Sequence, residues 1–206
     1  MDVGICAINN TLNAWYNDTN NCYSKTNLAS DLAGKPNNKT YPCIYILSFN
    51  LSLDNGWNLV SVPLKLKNET LPEPLNPIKG KYSKILTYLS GKWIELKDGS
   101  KINETLGLWI NINKSTNLSI NGTISNLSYS LNSGWNMIGY LNLTSGPINK
   151  TFNISNIDSI WMYNQSTWYS YDPEKPASMN TLKEMNSGYG YWVNVKGGFS
   201  RGGGSS

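Results

Sequence analysis

Histidine is absent from this chain of 206 residues, and its absence excludes several kinds of chemistry. The sequence cannot form a Ser/His/Asp or Cys/His catalytic group, nor a zinc site of mixed His and Cys ligands. Its acidic residues include Asp98 and Asp172, which lie in turn-like segments where Asp serves backbone geometry. No phosphate loop, dinucleotide fingerprint or EF-hand pattern occurs. We therefore predict a non-catalytic protein without a cofactor or a bound metal.

Charge and long apolar runs are scarce as well. Charged residues make up only 15% of the chain, and the net charge of +4 is scattered rather than gathered into a basic stripe. Nucleic acid is therefore not a predicted partner. No run approaches the roughly 18 apolar residues that a membrane span requires, and the first residues lack the pattern of a signal peptide. We expect no membrane span, and a flexible tail or linker over 199–206.

Asparagine, serine, glycine and aromatic residues are abundant instead, with 18 Gly, 13 Tyr and 8 Trp. Asn, Ser and Gly disfavour helices, whereas Tyr and Trp fit the pleated surface of a sheet. This composition predicts an all-β fold. Helix is predicted for two short segments only, 26–32 and 178–185.

Asn-x-Ser/Thr sequons, the acceptors of N-glycans, occur 14 times. The composition alone accounts for about five. The excess predicts an exported, N-glycosylated protein at the cell surface, and the alternative is a compositional bias that inflates Asn. The acceptors are Asn9, Asn17, Asn38, Asn50, Asn68, Asn103, Asn113, Asn117, Asn121, Asn126, Asn142, Asn149, Asn153 and Asn164.

The three cysteines, Cys6, Cys22 and Cys43, all lie in the first 43 residues. Their spacing does not match a Cys-x-x-Cys metal or redox pair. In an exported protein one disulfide would tie down this segment, and three pairings are possible. We favour Cys22 with Cys43, and the alternative is three buried thiols in a cytosolic protein.

An internal repeat is the strongest signal in the sequence. It predicts an N-terminal cysteine-containing segment at 1–52, a first β module at 53–130 and a second at 131–198. The matched landmarks are Leu53–Val60 with Leu131–Ile138, Ser83–Tyr88 with Ser159–Tyr163, Trp93 with Trp168, and Leu106–Asn111 with Tyr189–Asn194.

Each module carries about five strand-like runs. Hairpins are predicted at 84–96 and 159–171, and a turn at Asn121-Gly122. Five strands form a small unit with exposed edges. We therefore expect the two modules to pack on each other or exchange strands, as a β-sandwich or a barrel-like body.

The aromatic residues fall into two groups. Six tryptophans hold equivalent places in both modules, which favours core positions. Module 2 has additional aromatic residues where module 1 has aliphatic ones, and such rings can form a platform for a carbohydrate or a protein partner. The alternative is that they fill a wider core. The candidate platform comprises Trp161, Tyr163, Tyr169, Tyr171 and Tyr189.

Gly56-Trp57-Asn58 with Gly107-Leu108-Trp109, repeated as Gly134-Trp135-Asn136 with Gly190-Tyr191-Trp192, resembles a repeat of secreted surface proteins of archaea and some bacteria. The similarity covers about 53–198. The second copy departs from it with Tyr140-Leu141 where proline would follow the first strand. Proteins with this repeat include S-layer-associated proteins, adhesins and non-catalytic parts of extracellular enzymes.

The resemblance implies a structural or adhesive scaffold whose partners are other surface proteins, further copies of itself or glycans. A carbohydrate-binding module built on the aromatic residues of module 2 is the alternative. A fragment of an extracellular hydrolase is the third hypothesis.

Glycosylation is testable by mass spectrometry of the intact protein from its native source. We expect a mass above the 22.9 kDa of the bare chain, because N-glycans add mass at the occupied sequons. A mass equal to that of the bare chain contradicts the prediction of an exported glycoprotein.

Overall fold

Alternating apolar and polar residues produce strands through most of this computed structural model, which describes residues 5–7, 15–18, 21–24, 44–196 and 199–201. The fold is all-β, as predicted. Cys43, and with it the predicted bridge to Cys22, lies outside the described residues. The predicted helix at 26–32 and the sequons at Asn9 and Asn38 lie outside them too.

Among the described residues, the first part of the chain supplies ten strands and one 3-10 helix, at Glu73–Ile78. The strands are β1 Ile5–Ala7, β2 Trp15–Asp18, β3 Asn21–Ser24, β4 Ile44–Leu53, β5 Gly56–Val60, β6 Lys65–Leu66, β7 Tyr82–Leu89, β8 Lys92–Glu95, β9 Leu108–Ile112 and β10 Thr116–Thr123.

The second part repeats this organisation with short helical segments at Ile148–Thr151 (α1), Ile154–Asn156 and Ala177–Met179, the last two being 3-10 helices. Its strands are β11 Tyr129–Leu131, β12 Gly134–Gly139, β13 Gly146–Pro147, β14 Ile157–Asn164, β15 Thr167–Tyr171, β16 Glu184–Met185, β17 Gly190–Val195 and β18 Phe199–Arg201.

Two four-stranded antiparallel sheets of matching topology form the centre of the molecule. Their strand orders are β5-β9-β7-β8 and β12-β17-β14-β15. Both predicted hairpins are confirmed, as β7–β8 and β14–β15. The two central residues of each turn have positive φ angles, 50° and 78° at Ser90 and Gly91 and 47° and 62° at Gln165 and Ser166. This conformation suits the twist of two-residue hairpins.

A second sheet covers one face of each four-stranded sheet. Strand β4 pairs with β10 along seven residues, and in the second copy β11 pairs with β18. Strand β4 crosses the predicted boundary between residues 52 and 53. The core of each copy lies between its two sheets, with Leu51, Leu118 and Ile110 meeting in the first copy.

The predicted flexible tail at 199–206 begins with a strand instead, β18, which pairs with β11. Two other local predictions are wrong. The predicted turn at Asn121-Gly122 is part of β10, and Gly122 is there because an added Cβ would lie 2.5 Å from the carbonyl oxygen of Lys65. The predicted helix at 178–185 is a 3-10 turn followed by strand β16. The Asn180 side chain bonds the backbone N–H and C=O of Asp172, at 2.8 and 3.1 Å, which holds this segment against the preceding loop.

The cores of the two copies differ in their side chains. Tyrosines of the second copy replace aliphatic residues at three matched core positions. The hydroxyl of Tyr129 donates a hydrogen bond of 2.7 Å to the Gly139 carbonyl oxygen, and burial raises its pKa well above the usual value. It therefore remains a hydrogen-bond donor. The matched residues are Leu51, Val62 and Leu108 in the first copy and Tyr129, Tyr140 and Tyr191 in the second.

The Gly-Trp-Asn motif builds the turn that enters the first strand of each sheet. Gly56 and Gly134 have φ angles of 92° and 85°, which favour glycine. The amide of Asn136 donates to the carbonyl oxygens of Asn132 and Gly134, at 2.8 and 2.9 Å, and accepts from the Asn132 N–H at 3.0 Å. Asn58 makes the same three hydrogen bonds in the first copy.

The copies are joined by backbone contacts related by an approximate two-fold axis. The N–H of Ser61 donates to Gly188 O at 2.9 Å, and the N–H of Gly139, which occupies the matched position, donates to Thr105 O at 2.9 Å. A Cβ on Gly139 would lie 2.6 Å from the Cβ of Ser61, so this contact has room for one side chain only.

The glycines of the Gly-x-Trp motif lie at the same contact between the copies. A Cβ on Gly107 would lie 2.8 Å from Ile138 O, and one on Gly190 would lie 2.9 Å from Val60 O. Each Gly-x-Trp segment therefore approaches the first strand of the other copy. The copies therefore pack against each other at these segments, while each four-stranded sheet is built from the strands of one copy.

The turn contacts predict that Asn136→Asp lowers the free energy of unfolding by about 1–3 kcal/mol, because the carboxylate cannot donate to the two turn carbonyls. Urea denaturation measures this. Asn132→Asp is the matched control, because that exposed side chain makes no hydrogen bond to a described residue. An equal loss in both variants would show that charge alone is responsible.

A substitution at Glu104 is expected to stabilise the protein instead. It is fully buried, and neither carboxylate oxygen has a hydrogen-bond partner among the described residues. Burying such a group costs free energy. Glu104→Met is expected to raise the free energy of unfolding by about 1–3 kcal/mol, whereas the exposed control Glu184→Met leaves it nearly unchanged. Destabilisation by Glu104→Met would contradict this assignment.

Candidate functional site

The repeated tryptophans are the most unusual surface feature of the protein. The prediction that they are core residues is wrong for four of the six, which expose 40% or more of their surface. Large apolar rings at this exposure are uncommon unless they serve an interface or a ligand. The four are Trp57 at 40%, Trp93 at 54%, Trp135 at 44% and Trp168 at 45%.

Strand alternation explains this exposure. In strand β14, Ile160 and Met162 point into the second core, so Trp161 and Tyr163 point to the opposite face of the sheet. Tyr163 lies directly across from Trp168 on β15. Each four-stranded sheet therefore has one aliphatic or tyrosine-rich face on its own core and one tryptophan-rich face directed at the other copy.

The two tryptophan-rich faces meet in reciprocal contacts. Trp192 lies with its ring centroid 5.0 Å from Tyr88 and 5.4 Å from Trp93, which belong to the β7–β8 hairpin. Around the approximate two-fold axis, Trp109 lies 5.1 Å from Tyr163 and 5.9 Å from the ring matched to Trp93, that of Trp168. The hairpin of each copy thus packs on the Gly-x-Trp tryptophan of the other.

The cluster around Trp192 opens into a cavity of about 520 Å³ that we call the aromatic groove, and Trp168 of the other cluster lines it as well. Both copies contribute to its walls, and no charged side chain lines it. Its rings pack edge-to-face against one another, as Trp135 and Trp192 do at a centroid distance of 6.1 Å. The lining residues are Tyr88, Trp93, Trp135, Trp161, Trp168 and Trp192.

Trp161 makes the groove asymmetric. The matched residue of the first copy is Leu86, which is flanked by an ion pair between Lys84 and Glu95 at 3.6 Å. In the second copy a serine, Ser159, takes the place of Lys84 and accepts a hydrogen bond of 3.1 Å from Trp161 Nε1. This bond orients the indole ring, which faces a groove without charged lining residues.

The predicted platform is divided between the two faces of the second sheet. Trp161 lines the aromatic groove, and Tyr163 packs behind it against Trp168 at a centroid distance of 5.1 Å. The other three residues, Tyr169, Tyr171 and Tyr189, are partly buried and pack against the second core.

The other groove residues are not among the predicted site residues, and for Trp93, Trp135, Trp168 and Trp192 the repetition in both modules predicts core positions instead. Strand alternation is the signal that identifies them, because it places each tryptophan on the face of its strand that points away from the core of its own copy. Trp93, for example, lies on β8, in which every residue is exposed.

The sequon asparagines are consistently accessible. Of those whose side chains are described, nine are exposed, Asn103 and Asn164 are partly buried and none is buried. Outside the sequons, Asn58, Asn136 and Asn180 are less exposed, and each donates to at least one backbone carbonyl oxygen. The nine are Asn50, Asn68, Asn113, Asn117, Asn121, Asn126, Asn142, Asn149 and Asn153.

Three of these sequons share one sheet face. Where side-chain burial is described, the exposed residues of β4 and β10 are all serine or asparagine, and the β4–β10 register places Asn50 opposite Ser119, between Asn117 and Asn121. We call this surface the Ser/Asn face. It is formed by Ser48, Asn50, Ser52, Asn117, Ser119 and Asn121.

Other kinds of site are not evident in the part of the chain that the structure describes. It contains no cluster of three or more His, Cys, Asp or Glu side chains placed to hold a metal ion. Within the same residues no helix has the length and apolar character needed to cross a membrane. The chain matches no known protein family, no curated protein and no solved structure.

Proposed function

We propose that this protein is an exported, N-glycosylated and non-catalytic surface protein that adheres to neutral carbohydrate through the aromatic groove. The observation that carries the proposal is the groove itself, where five tryptophans and one tyrosine line an open cavity without any charged side chain. This lining is far more aromatic than an ordinary protein surface.

The chemistry of the lining favours sugars over other ligands. Aromatic rings present flat apolar faces, and the C–H faces of a pyranose ring complement them while its hydroxyl groups stay in water. A nucleic acid or an acidic glycan would require cationic side chains, and none lines the groove. The rings are fixed on strands of two sheets and by contacts with one another, so little conformational entropy is lost on binding.

The sequons support the location of the protein outside the cell. Glycan addition requires accessible asparagines, and the described sequons are exposed or partly exposed throughout. None of the groove residues belongs to a sequon, so attached glycans would leave the groove residues themselves unmodified. The resemblance to the repeat of secreted surface proteins agrees with this location.

The experiment is a screen of neutral and acidic glycans, followed by calorimetry on the best ligand with two matched variants. Trp135 and Trp57 occupy the same motif position, have similar exposure and pack on Trp192 and Trp109 at 6.1 and 6.2 Å. Only Trp135 lines the aromatic groove. Trp135→Ala is therefore expected to lower the affinity at least about tenfold, and Trp57→Ala to leave it nearly unchanged.

Absence of binding to every neutral glycan would refute the proposed function. An equal loss of affinity in the two variants would show that the tryptophans act through the fold rather than at the ligand, and circular dichroism checks that both variants remain folded.

A further inference from the structure

The aromatic groove continues into a second cavity of about 780 Å³, which we call the polar cleft. Tyr88 and Trp135 line both cavities and form the boundary between them. The walls of the polar cleft are the turn of the β7–β8 hairpin, the loop before β9 and the segment 128–138 of the second copy. It is thus built, like the groove, from both copies.

The polar cleft is lined by hydroxyl and amide groups and by no Lys, Arg, Asp or Glu. The exposed side chains of Ser128, Ser130 and Asn132 make no hydrogen bond to any described residue. Together they offer both donors and acceptors without a net charge. Such groups fix the orientation of a ligand that an apolar surface holds.

The approximate two-fold axis provides an internal comparison. The matched cleft lies beside Trp57 and Tyr163, and its volume is only about 260 Å³. Gln165 and Ser166 stand there in place of the smaller pair Ser90 and Gly91, and they narrow the cleft.

The matched cleft also differs from the polar cleft in the chemistry of its lining. Asp54 stands where the polar cleft has Asn132, so the matched cleft contains a charged group. Its wall also includes Asn164, a sequon asparagine, so a glycan attached there would cover it. Only one of the two clefts is therefore wide, uncharged and joined to a groove of six aromatic rings.

We propose that the polar cleft is a second carbohydrate subsite and that the ligand is a linear neutral oligosaccharide running from the aromatic groove past Tyr88 and Trp135 into the cleft. This inference rests on the proposed function and adds a ligand class to it. A linear chain of neutral sugars presents apolar ring faces to the groove and hydroxyl groups to Ser128, Ser130 and Asn132. A short ligand would engage the aromatic groove alone.

The test is calorimetry with neutral oligosaccharides of about two to eight units from the best ligand of the screen. The full chain is produced in a host without N-glycosylation, because Ser128 belongs to the sequon of Asn126 and an attached glycan would stand beside the cleft. The double variant Ser90→Gln/Asn132→Asp copies the residues of the matched cleft. Asp54→Asn, which alters only the matched cleft, is the control.

We expect affinity to rise at least about tenfold from the shortest to the longest ligand. The double variant should abolish this rise and leave the shortest ligands unaffected, and Asp54→Asn should change neither. Affinity independent of length, together with a silent double variant, would overturn the second subsite and leave the proposed function intact. Equal weakening of short and long ligands would also overturn it. Failure of the wild-type protein to bind at any length would instead refute the proposed function.

Discussion

The close backbone approach of the two copies at their approximate two-fold axis determines the rest of the structure. Gly107, Gly139 and Gly190 bring strand ends of one copy against the other at distances that leave no space for a Cβ atom. Because the strands are locked at this point, each hairpin is placed over the other copy's Gly-x-Trp tryptophan. The aromatic groove and the polar cleft follow from this placement, since both have walls from the two copies. A larger residue at one of these glycines would therefore alter the site as well as the fold.

Much of the fold could be predicted from the sequence, because the relevant signals are local. The period-2 patterns and the turn residues of the β7–β8 hairpin specify strands and their connection without knowledge of the remaining chain. Gly122 and the segment 178–185 could not be assigned in this way. The first is explained by a contact with Lys65, and the second by the hydrogen bonds of Asn180 to the backbone of Asp172, eight residues earlier. Interactions beyond the local pattern determine both.

The candidate site, too, could be predicted from the sequence only in part. Repetition identified the tryptophans, but it could not show which face of each sheet the core would occupy. Strand alternation placed Trp161 with Tyr163 and Tyr169 with Tyr171 correctly as pairs. It did not show that the two pairs lie on opposite faces of one sheet, because that depends on how β14 and β15 are registered. The polar cleft had no sequence signal, since its serines and asparagines resemble those of the rest of the surface.

The contact between Ser61 and Gly139 limits how such modules can associate. A symmetric homodimer of the first module would bring two copies of Ser61 together, where the Cβ atoms would stand about as close as the 2.6 Å found for an added Cβ on Gly139. A homodimer of the second module would bring two glycines together and avoid this collision. Two modules joined in one polypeptide need glycine on only one side of this contact. They can also carry Trp161 on one wall of the site and Leu86 at the matched position, a difference that identical subunits cannot have.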